Sequence, residues 1–359
     1  MKEWEIRELE RNSYVKGTLP KGCKLCSKGA KMVLFVTGIC NVHCYYCPLS
    51  EKKKDKDVIY ADEIPVKNDK DIIYEAKSIG ALGTGITGGE PLLKLRRVLR
   101  YIKILKKKFG EEHHIHLYTT RGYSNEILAL ESAGLDELRF HVLPYLWEKF
   151  ENSKIYERIS FALKRKISVG IEVPVIPKME KQLTNLIKNA DILGVEFINL
   201  NELEIPNFKI MEQKKFRYKD SYSLSIKGSE ELAMKISELD TKTTLHYCSA
   251  AFKDFVQLRE RLIRRAKRTA RSYEVITKEG LLILGIVKVE DKNLQSAYNF
   301  LRKNYEIPRE FIAINKERKR IEIAPWILEE IAKEIPWECY EVEEYPTYDR
   351  LQVEAEKLN

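Results

Sequence analysis

Between residues 30 and 205 the chain alternates short apolar runs with longer stretches whose apolar positions recur every three or four residues. The runs at 32–37, 83–87, 114–119, 137–143, 168–175 and 196–201 predict strands. The stretches at 69–80, 92–109, 124–133, 154–164 and 181–193 predict amphipathic helices. Six β–α units in series imply a parallel sheet, and an incomplete (β/α)6 barrel fits as well as an open sheet. A further helix is predicted over 228–240, followed by the run Leu245-His246-Tyr247-Cys248-Ser249. One long helix is then expected from 251 to 271. Its apolar positions Phe255, Leu258, Leu262 and Ala266 have helical spacing, while Arg261, Arg264, Arg265, Arg268 and Arg271 gather on another face.

Beyond 272 the rhythm changes. Strand (274–289), helix (293–304), strand (311–315), strand (320–324), helix (326–334) and strand (338–343) follow the β-α-β-β-α-β order of a ferredoxin-like fold. The chain therefore divides into a first segment at 1–30, a barrel core at 31–250, a basic helix at 251–271, a ferredoxin-like α+β domain at 272–346 and a charged tail at 347–359.

Composition narrows the class without changing this map. Of 359 residues, 44% are apolar and 33% charged, which suits a globular protein and argues against wholesale disorder. The Lys, Glu and Arg bias fits the ion-pair networks of a thermophile's surface. No long uncharged apolar stretch occurs, and the opening Met1-Lys2-Glu3-Trp4-Glu5 lacks the apolar region of a signal segment, so a soluble cytoplasmic protein is expected. The net charge of +9 permits an anionic partner such as RNA. Five arginines on one helix could track phosphates, which makes RNA, tRNA above all, the leading substrate expectation.

The seven cysteines are grouped by short spacings, which favours metal chemistry over disulfides. Cys40-x3-Cys44-x2-Cys47 directly follows the first strand of the repeating pattern. Three thiolates on one loop can hold three corners of a cubic iron–sulfur cluster and leave its fourth iron open to a substrate or cofactor. After the second strand comes Thr87-Gly88-Gly89-Glu90-Pro91, and after the third Thr119-Thr120-Arg121-Gly122. Strand ends of such barrels are where chemistry collects.

In this order the three motifs resemble those of radical S-adenosylmethionine (SAM) enzymes. The resemblance implies a [4Fe-4S] cluster on Cys40, Cys44 and Cys47. It further implies that Gly88, Gly89 and Glu90 hold the amino end of SAM, that Tyr46 flanks the adenine, and that Thr119 or Thr120 contacts the ribose or carboxylate. Glu90 and Tyr46 are thereby the catalytic candidates. Arg121 departs from the Thr-Asn-Gly pattern of activase-like members. The implied chemistry is one-electron cleavage of SAM to methionine and a 5′-deoxyadenosyl radical that abstracts hydrogen from carbon, driven by a ferredoxin- or flavodoxin-like electron donor. Residues 21–60 resemble a largely archaeal group similar to the activating enzymes of pyruvate formate-lyase and other glycyl-radical enzymes. An activase or peptide-modifying enzyme is therefore the alternative to RNA modification, and a non-catalytic iron–sulfur or RNA-binding scaffold the third reading.

Cys23-x2-Cys26 is a second candidate centre. With His246 and Cys248 it would complete a zinc site or an auxiliary iron–sulfur cluster, and without them it is a thiol or redox pair. Cys339 reads as a half-buried strand thiol or a reactive cysteine. His43 reads as a loop-surface residue. His141, Glu172, Asn199, Asn201 and Glu202 are placed toward the barrel mouth, with Glu172 a cofactor-binding candidate. His114 and His116 share one strand face beside His113 and read as an edge pair.

Overall fold

The computed structural model describes residues 5–359, so the opening Met1-Lys2-Glu3-Trp4 lies outside the described residues. It divides into two compact units, one of residues 5–77 and 81–258, the other of 78–80 and 259–359.

The first unit begins with a strand pair, β1 (Ile6–Glu8) and β2 (Tyr14–Lys16), and a short helix α1 (Lys21–Ser27). Then follow β3 (Lys31–Phe35), the small hairpin β4 (Tyr60–Ala61) and β5 (Ile64–Pro65), and α2 (Asp69–Ser78). The repeat continues as β6 (Gly83–Thr87), α3 (Leu95–Phe109), β7 (His114–Thr119), α4 (Ser124–Ala133) and β8 (Glu137–Phe140). It proceeds through α5 (Lys154–Ala162), β9 (Ser168–Val175), α6 (Glu180–Leu193), β10 (Phe197–Glu202) and α7 (Phe208–Gln213). It ends with α8 (Ser229–Ser237), β11 (Thr244–Cys248) and α9 (Ala250–Phe252).

Strands β3, β6, β7, β8, β9, β10 and β11 are adjacent in that order and all parallel. This is a partial barrel with a seventh parallel strand, β11, beyond the six expected. Residues 5–30 do not extend from the core. β2 pairs antiparallel with β11, and the β4–β5 hairpin covers β3, so both edges of the parallel series are satisfied.

The strands are two-faced. Leu34, Ile86, Leu117, Ile171 and Leu200 are fully buried on one face, in the register that alternation dictates. The other face is polar, and much of it is buried too: Lys31, His114, His116, Glu137, Arg139 and Asn199 are all less than 5% exposed. Buried polar groups are mostly bonded, and these form a network, in which His116 Nδ1 stands 3.9 Å from Glu137 Oε1 without a hydrogen bond. Arg139 Nε donates to Glu137 Oε1 at 2.6 Å, and its Nη1 to Glu172 Oε2 at 2.8 Å. Lys31 Nζ donates to His114 Nδ1 at 3.0 Å. Helix α1 rests on this network through Gly22, where a Cβ would stand 2.6 Å from Arg139 Nη2 and 2.7 Å from Glu137 Oε1. His114 and His116 are therefore interior residues of a central strand, not an edge pair.

The second unit contains α10 (Arg259–Thr269), β12 (Val275–Ile276), β13 (Leu282–Lys288), α11 (Leu294–Asn304), β14 (Ile312–Asn315) and β15 (Arg320–Ile323). It closes with α12 (Pro325–Ile331), β16 (Glu338–Glu344) and β17 (Gln352–Lys357). The sheet order β14-β15-β13-β16, antiparallel throughout, is that of a ferredoxin-like fold. Two details differ from expectation. The strand expected over 274–289 is a hairpin of β12 and β13, and the charged end is a strand, β17, paired with β16. Glu and Lys lower apolar periodicity enough to hide an exposed edge strand.

The basic helix is also corrected. A π-helical turn, Lys253–Leu258, interrupts it before α10. Its arginines do not form one solvated face. Arg265 is buried and donates to the Pro346 carbonyl, Arg264 donates to the carbonyls of Ile79 and Gly80, and Arg271 pairs with Glu322. Guanidinium groups committed to internal acceptors are not available to phosphates, so the RNA expectation loses its structural motive. Cys339 is fully buried on β16.

Candidate functional site

A cavity of about 510 Å³ opens at the C-terminal ends of the parallel strands of the first unit. Cys40, Cys44 and Cys47 line it together with Gly88, Gly89, Glu90, Thr119, Thr120, Tyr46, His141 and Glu172. The structure thus brings all the candidates drawn from the three motifs to one chamber.

The cysteine loop is held from behind. Gly38 donates to Lys56 O at 2.8 Å and accepts from Asp55 N at 3.0 Å. Asp57 accepts from Thr37 Oγ1 at 2.9 Å and from Arg97 Nη1 at 2.6 Å, and Lys94 lies 2.8 Å away. These hydrogen bonds, Arg97's above all, hold the Asp57 carboxyl well below the usual carboxylate range. The Gly-Gly pair explains itself sterically. Gly89 N donates to Thr37 O and Glu90 N to Ile39 O, and a Cβ on Gly88 or Gly89 would lie 2.5 Å from those same carbonyl oxygens. Only glycine lets the second loop seat the first.

Glu90 is fully buried and its carboxylate is saturated. Oε1 accepts from Leu92 N at 3.0 Å and Thr119 Oγ1 at 2.7 Å, while Oε2 accepts from Thr120 N and Thr120 Oγ1, both at 2.7 Å. The carboxylate therefore locks the β6 and β7 loops together, and the two threonine hydroxyls expected to meet a ligand are turned toward it.

Tyr46 is fixed by a directional pair. His141 Nδ1 lies 3.0 Å from the Glu172 carbonyl oxygen, which can only accept, so Nδ1 carries the proton. Nε2 is then the acceptor for the Tyr46 hydroxyl, 3.0 Å away. Burial lowers the His141 pKa and so favours this neutral imidazole, and burial raises the Tyr46 hydroxyl well above an ordinary phenol. Glu172 is bonded to Arg139, to Asn199 Nδ2 at 3.0 Å and to Asn201 Nδ2 at 2.9 Å. Glu202 is buried and accepts from Ala250 N at 2.8 Å. His43 is exposed at the cavity rim.

The second candidate centre does not form a single-ion site. Among the described residues no three His, Cys, Asp or Glu side chains are arranged to hold a single metal ion. Cys23 Sγ lies 3.4 Å from the Arg139 guanidinium and within 3.5 Å of Asn199, whose Oδ1 is 2.8 Å from His246 Nδ1. A cation bound at Cys23 would face that buried guanidinium, which opposes zinc there. Burial pushes the Cys23 thiol up to about 11, and Cys248 to about 12, so both are neutral thiols. Cys26 lines the deep end of the main cavity beside Lys31, whose burial lowers its pKa to about 8. Sequence reasoning missed Lys31, Glu137 and Arg139, although the alternation Glu137-Leu138-Arg139-Phe140 is itself a signal of a polar inner face.

The cysteine loop does suit a cubane. Its three thiols are free, half-buried and share one cavity, and a cubane holds its thiolates farther apart than a single ion does. The parallel partial barrel with this chamber at its strand ends defines a radical SAM fold. A family profile described as "Radical SAM superfamily" matches residues 34–143, and the chain belongs to that superfamily. It is 43% identical over 366 aligned residues to the "Putative glycyl-radical enzyme activating enzyme MJ0021" of Methanocaldococcus jannaschii, covering 98% of this chain and 95% of that one. It is also 26% identical, over 47% of this chain and 55% of the other, to the "Probable GTP 3',8-cyclase" of Saccharolobus islandicus. Among solved structures, Streptococcus suis SuiB bound to S-adenosylmethionine aligns with 13% identity and a TM-score of 0.40, covering 63% of this chain and 53% of that one. Residues 280–358 match a domain of unknown function. The protein is a radical SAM enzyme, and no helix among its described residues is long and apolar enough to cross a membrane.

Proposed function

We propose that this radical SAM enzyme is an activase, which installs a glycyl radical on a partner glycyl-radical enzyme. The observation that carries the reading is the 43% identity, over nearly both full lengths, to a relative that bears that name. The RNA alternative loses its motive where Arg264, Arg265 and Arg271 are bound to internal acceptors. In this reading Cys40, Cys44 and Cys47 hold a [4Fe-4S] cluster. Gly88 and Gly89 shape the backbone against which the amino end of SAM lies, while Glu90 positions that loop and the Thr119–Thr120 turn. Tyr46, oriented by His141, flanks the adenine, and Glu172 keeps the adjoining wall polar. When bound, the cluster would supply the electron that splits SAM, yielding methionine and a 5′-deoxyadenosyl radical that takes hydrogen from carbon. The hydrogen leaves the glycine Cα for the 5′ carbon, and the unpaired electron stays on the glycine. A ferredoxin- or flavodoxin-like donor returns one electron per turnover.

The test is anaerobic incubation of cluster-loaded protein with SAM, a one-electron reductant and a glycyl-radical enzyme from the same genome. A doublet paramagnetic signal from the glycyl radical, with one 5′-deoxyadenosine per radical, is expected. SAM cleavage without that signal on any such partner would overturn the activase reading and leave the superfamily membership intact.

A further inference from the structure

Two side chains of the π-helical turn Lys253–Leu258, Lys253 and Gln257, face the cavity. π turns are rare and recurrent at functional sites. This one replaces a turn of the helix that the sequence predicts as continuous. The end of β10 adds Asn201 and Glu204 to the same cavity. Lys253 Nζ bonds Glu204 Oε2 at 3.0 Å with each side chain 33% exposed, which ties the turn to the strand end.

The two amides on this wall are underused. Asn201 gives Nδ2 to Glu172, and no described residue bonds its Oδ1. Gln257 Nε2 donates to the Cys248 sulfur at 3.6 Å, a weak acceptor, and no described residue bonds its Oε1. A primary amide with an open donor and acceptor is the natural complement of a peptide group, which carries one of each. In sheet order, β10 and β11 lie at the far end of the parallel series from β3, whose loop carries the cysteines. The wall therefore carries none of the three motifs assigned to cluster and SAM, although Asn201 adjoins Glu172.

We propose that Asn201 and Gln257, braced by the Lys253–Glu204 pair, form a subsite that grips the main chain of a polypeptide and presents its glycine Cα to the cofactor side of the cavity. This rests on the activase reading, whose substrate is a glycine within a chain. A subsite for main-chain groups tolerates the absence of a side chain at the reacting residue, which a side-chain pocket does not.

The experiment titrates N-acetyl-Ala-Ala-Gly-Ala-Ala-amide into cluster-reconstituted, SAM-loaded protein by calorimetry, for the parent, Gln257→Ala and Asn201→Ala. Losing one such hydrogen bond weakens peptide affinity about fivefold to tenfold. SAM affinity is expected to stay unchanged in Gln257→Ala. Gln257 is partly exposed, so its variant carries the test if Asn201→Ala, which also releases Glu172, loses stability. Absence of peptide binding by the parent overturns the subsite, as does equal peptide affinity in a normally melting Gln257→Ala. Parallel loss of SAM affinity would assign these side chains to the cofactor and also overturn it. If the peptide affinities behave as expected while no glycyl-radical enzyme acquires a radical, the activase reading fails and the main-chain subsite stands.

Discussion

Replacing Glu90 by Gln removes one charge and little volume, yet the geometry makes it a damaging change. Each carboxylate oxygen accepts one backbone N–H, Leu92's on Oε1 and Thr120's on Oε2. Those N–H groups cannot turn away. A glutamine offers one oxygen and one NH2, so in either orientation its NH2 meets a backbone donor. One charge-assisted hydrogen bond, worth about 1.5–3 kcal/mol, is lost, and a buried N–H is left unpaired at about 1–3 kcal/mol. These overlap, and about 3 kcal/mol is expected. At about 2–4 °C per kcal/mol for a unit of this size, the melting transition of the barrel falls by about 6–12 °C. Thr120→Val removes a rotatable donor and leaves Oε2 its backbone partner, so about 1 kcal/mol is expected. The assay is thermal unfolding followed by circular dichroism on cluster-free protein, which separates the effect from cofactor loss. A Glu90→Gln variant melting within about 2 °C of the parent would refute the locking role. So would a Thr120→Val variant as unstable as Glu90→Gln.

Other outcomes follow from the same contacts. Gly89→Ala would force a Cβ to 2.5 Å from the Ile39 carbonyl oxygen, so iron retained after reconstitution should fall steeply; full loading would contradict the close-approach argument. Ser at Cys40, Cys44 or Cys47 should abolish the iron content, whereas Cys23→Ser and Cys26→Ser should leave it near that of one cluster; a halving by either of the latter would restore a second cluster. Tyr46→Phe removes the donor to His141 Nε2 and should cost about 1 kcal/mol by thermal melting, and His141→Ala in the same background should cost more, because it also breaks the Nδ1 bond to the Glu172 carbonyl; no further loss would contradict that bond. His113 is buried against Phe109, and burial lowers its pKa from 6.5 to about 4. The unfolded chain takes up a proton that the folded state refuses, so stability is full above pH 6.5, declines as pH falls toward 4 and levels below it. Urea titrations of the parent and His113→Gln across that window should show a shallower decline in the variant; parallel slopes would dismiss His113 as a source.

The motifs were legible because their chemistry is local. Cysteine spacing, paired glycines and an acid after a strand are set by what one short loop must do, so Cys40–Cys47, Gly88–Glu90 and Thr119–Thr120 could be read and placed on strand ends. The basic helix was misread because spacing reports which residues share a face, not what that face meets. Arg265 and Arg271 have the spacing of a solvated stripe and are bound to internal acceptors. The π turn was hidden for a related reason, since one widened turn barely disturbs apolar periodicity over twenty residues. Cys23, Cys26, His246 and Cys248 have metal-like spacing in the chain, but Arg139 and Asn199, from other strands, occupy the space around Cys23.

By itself, then, the sequence determined the parallel β–α repeat, the ferredoxin-like unit and the class of cofactor chemistry, because each depends on contacts between residues near in the chain. Only the tertiary structure decided that Glu90 is a lock, that His141 sets the direction of the Tyr46 hydroxyl, and that the barrel floor is an ionic network. It also decided that Asn201 and Gln257 line one cavity. Those properties depend on hydrogen bonds between side chains that the chain keeps tens to hundreds of residues apart, and only folding brings the partners within reach.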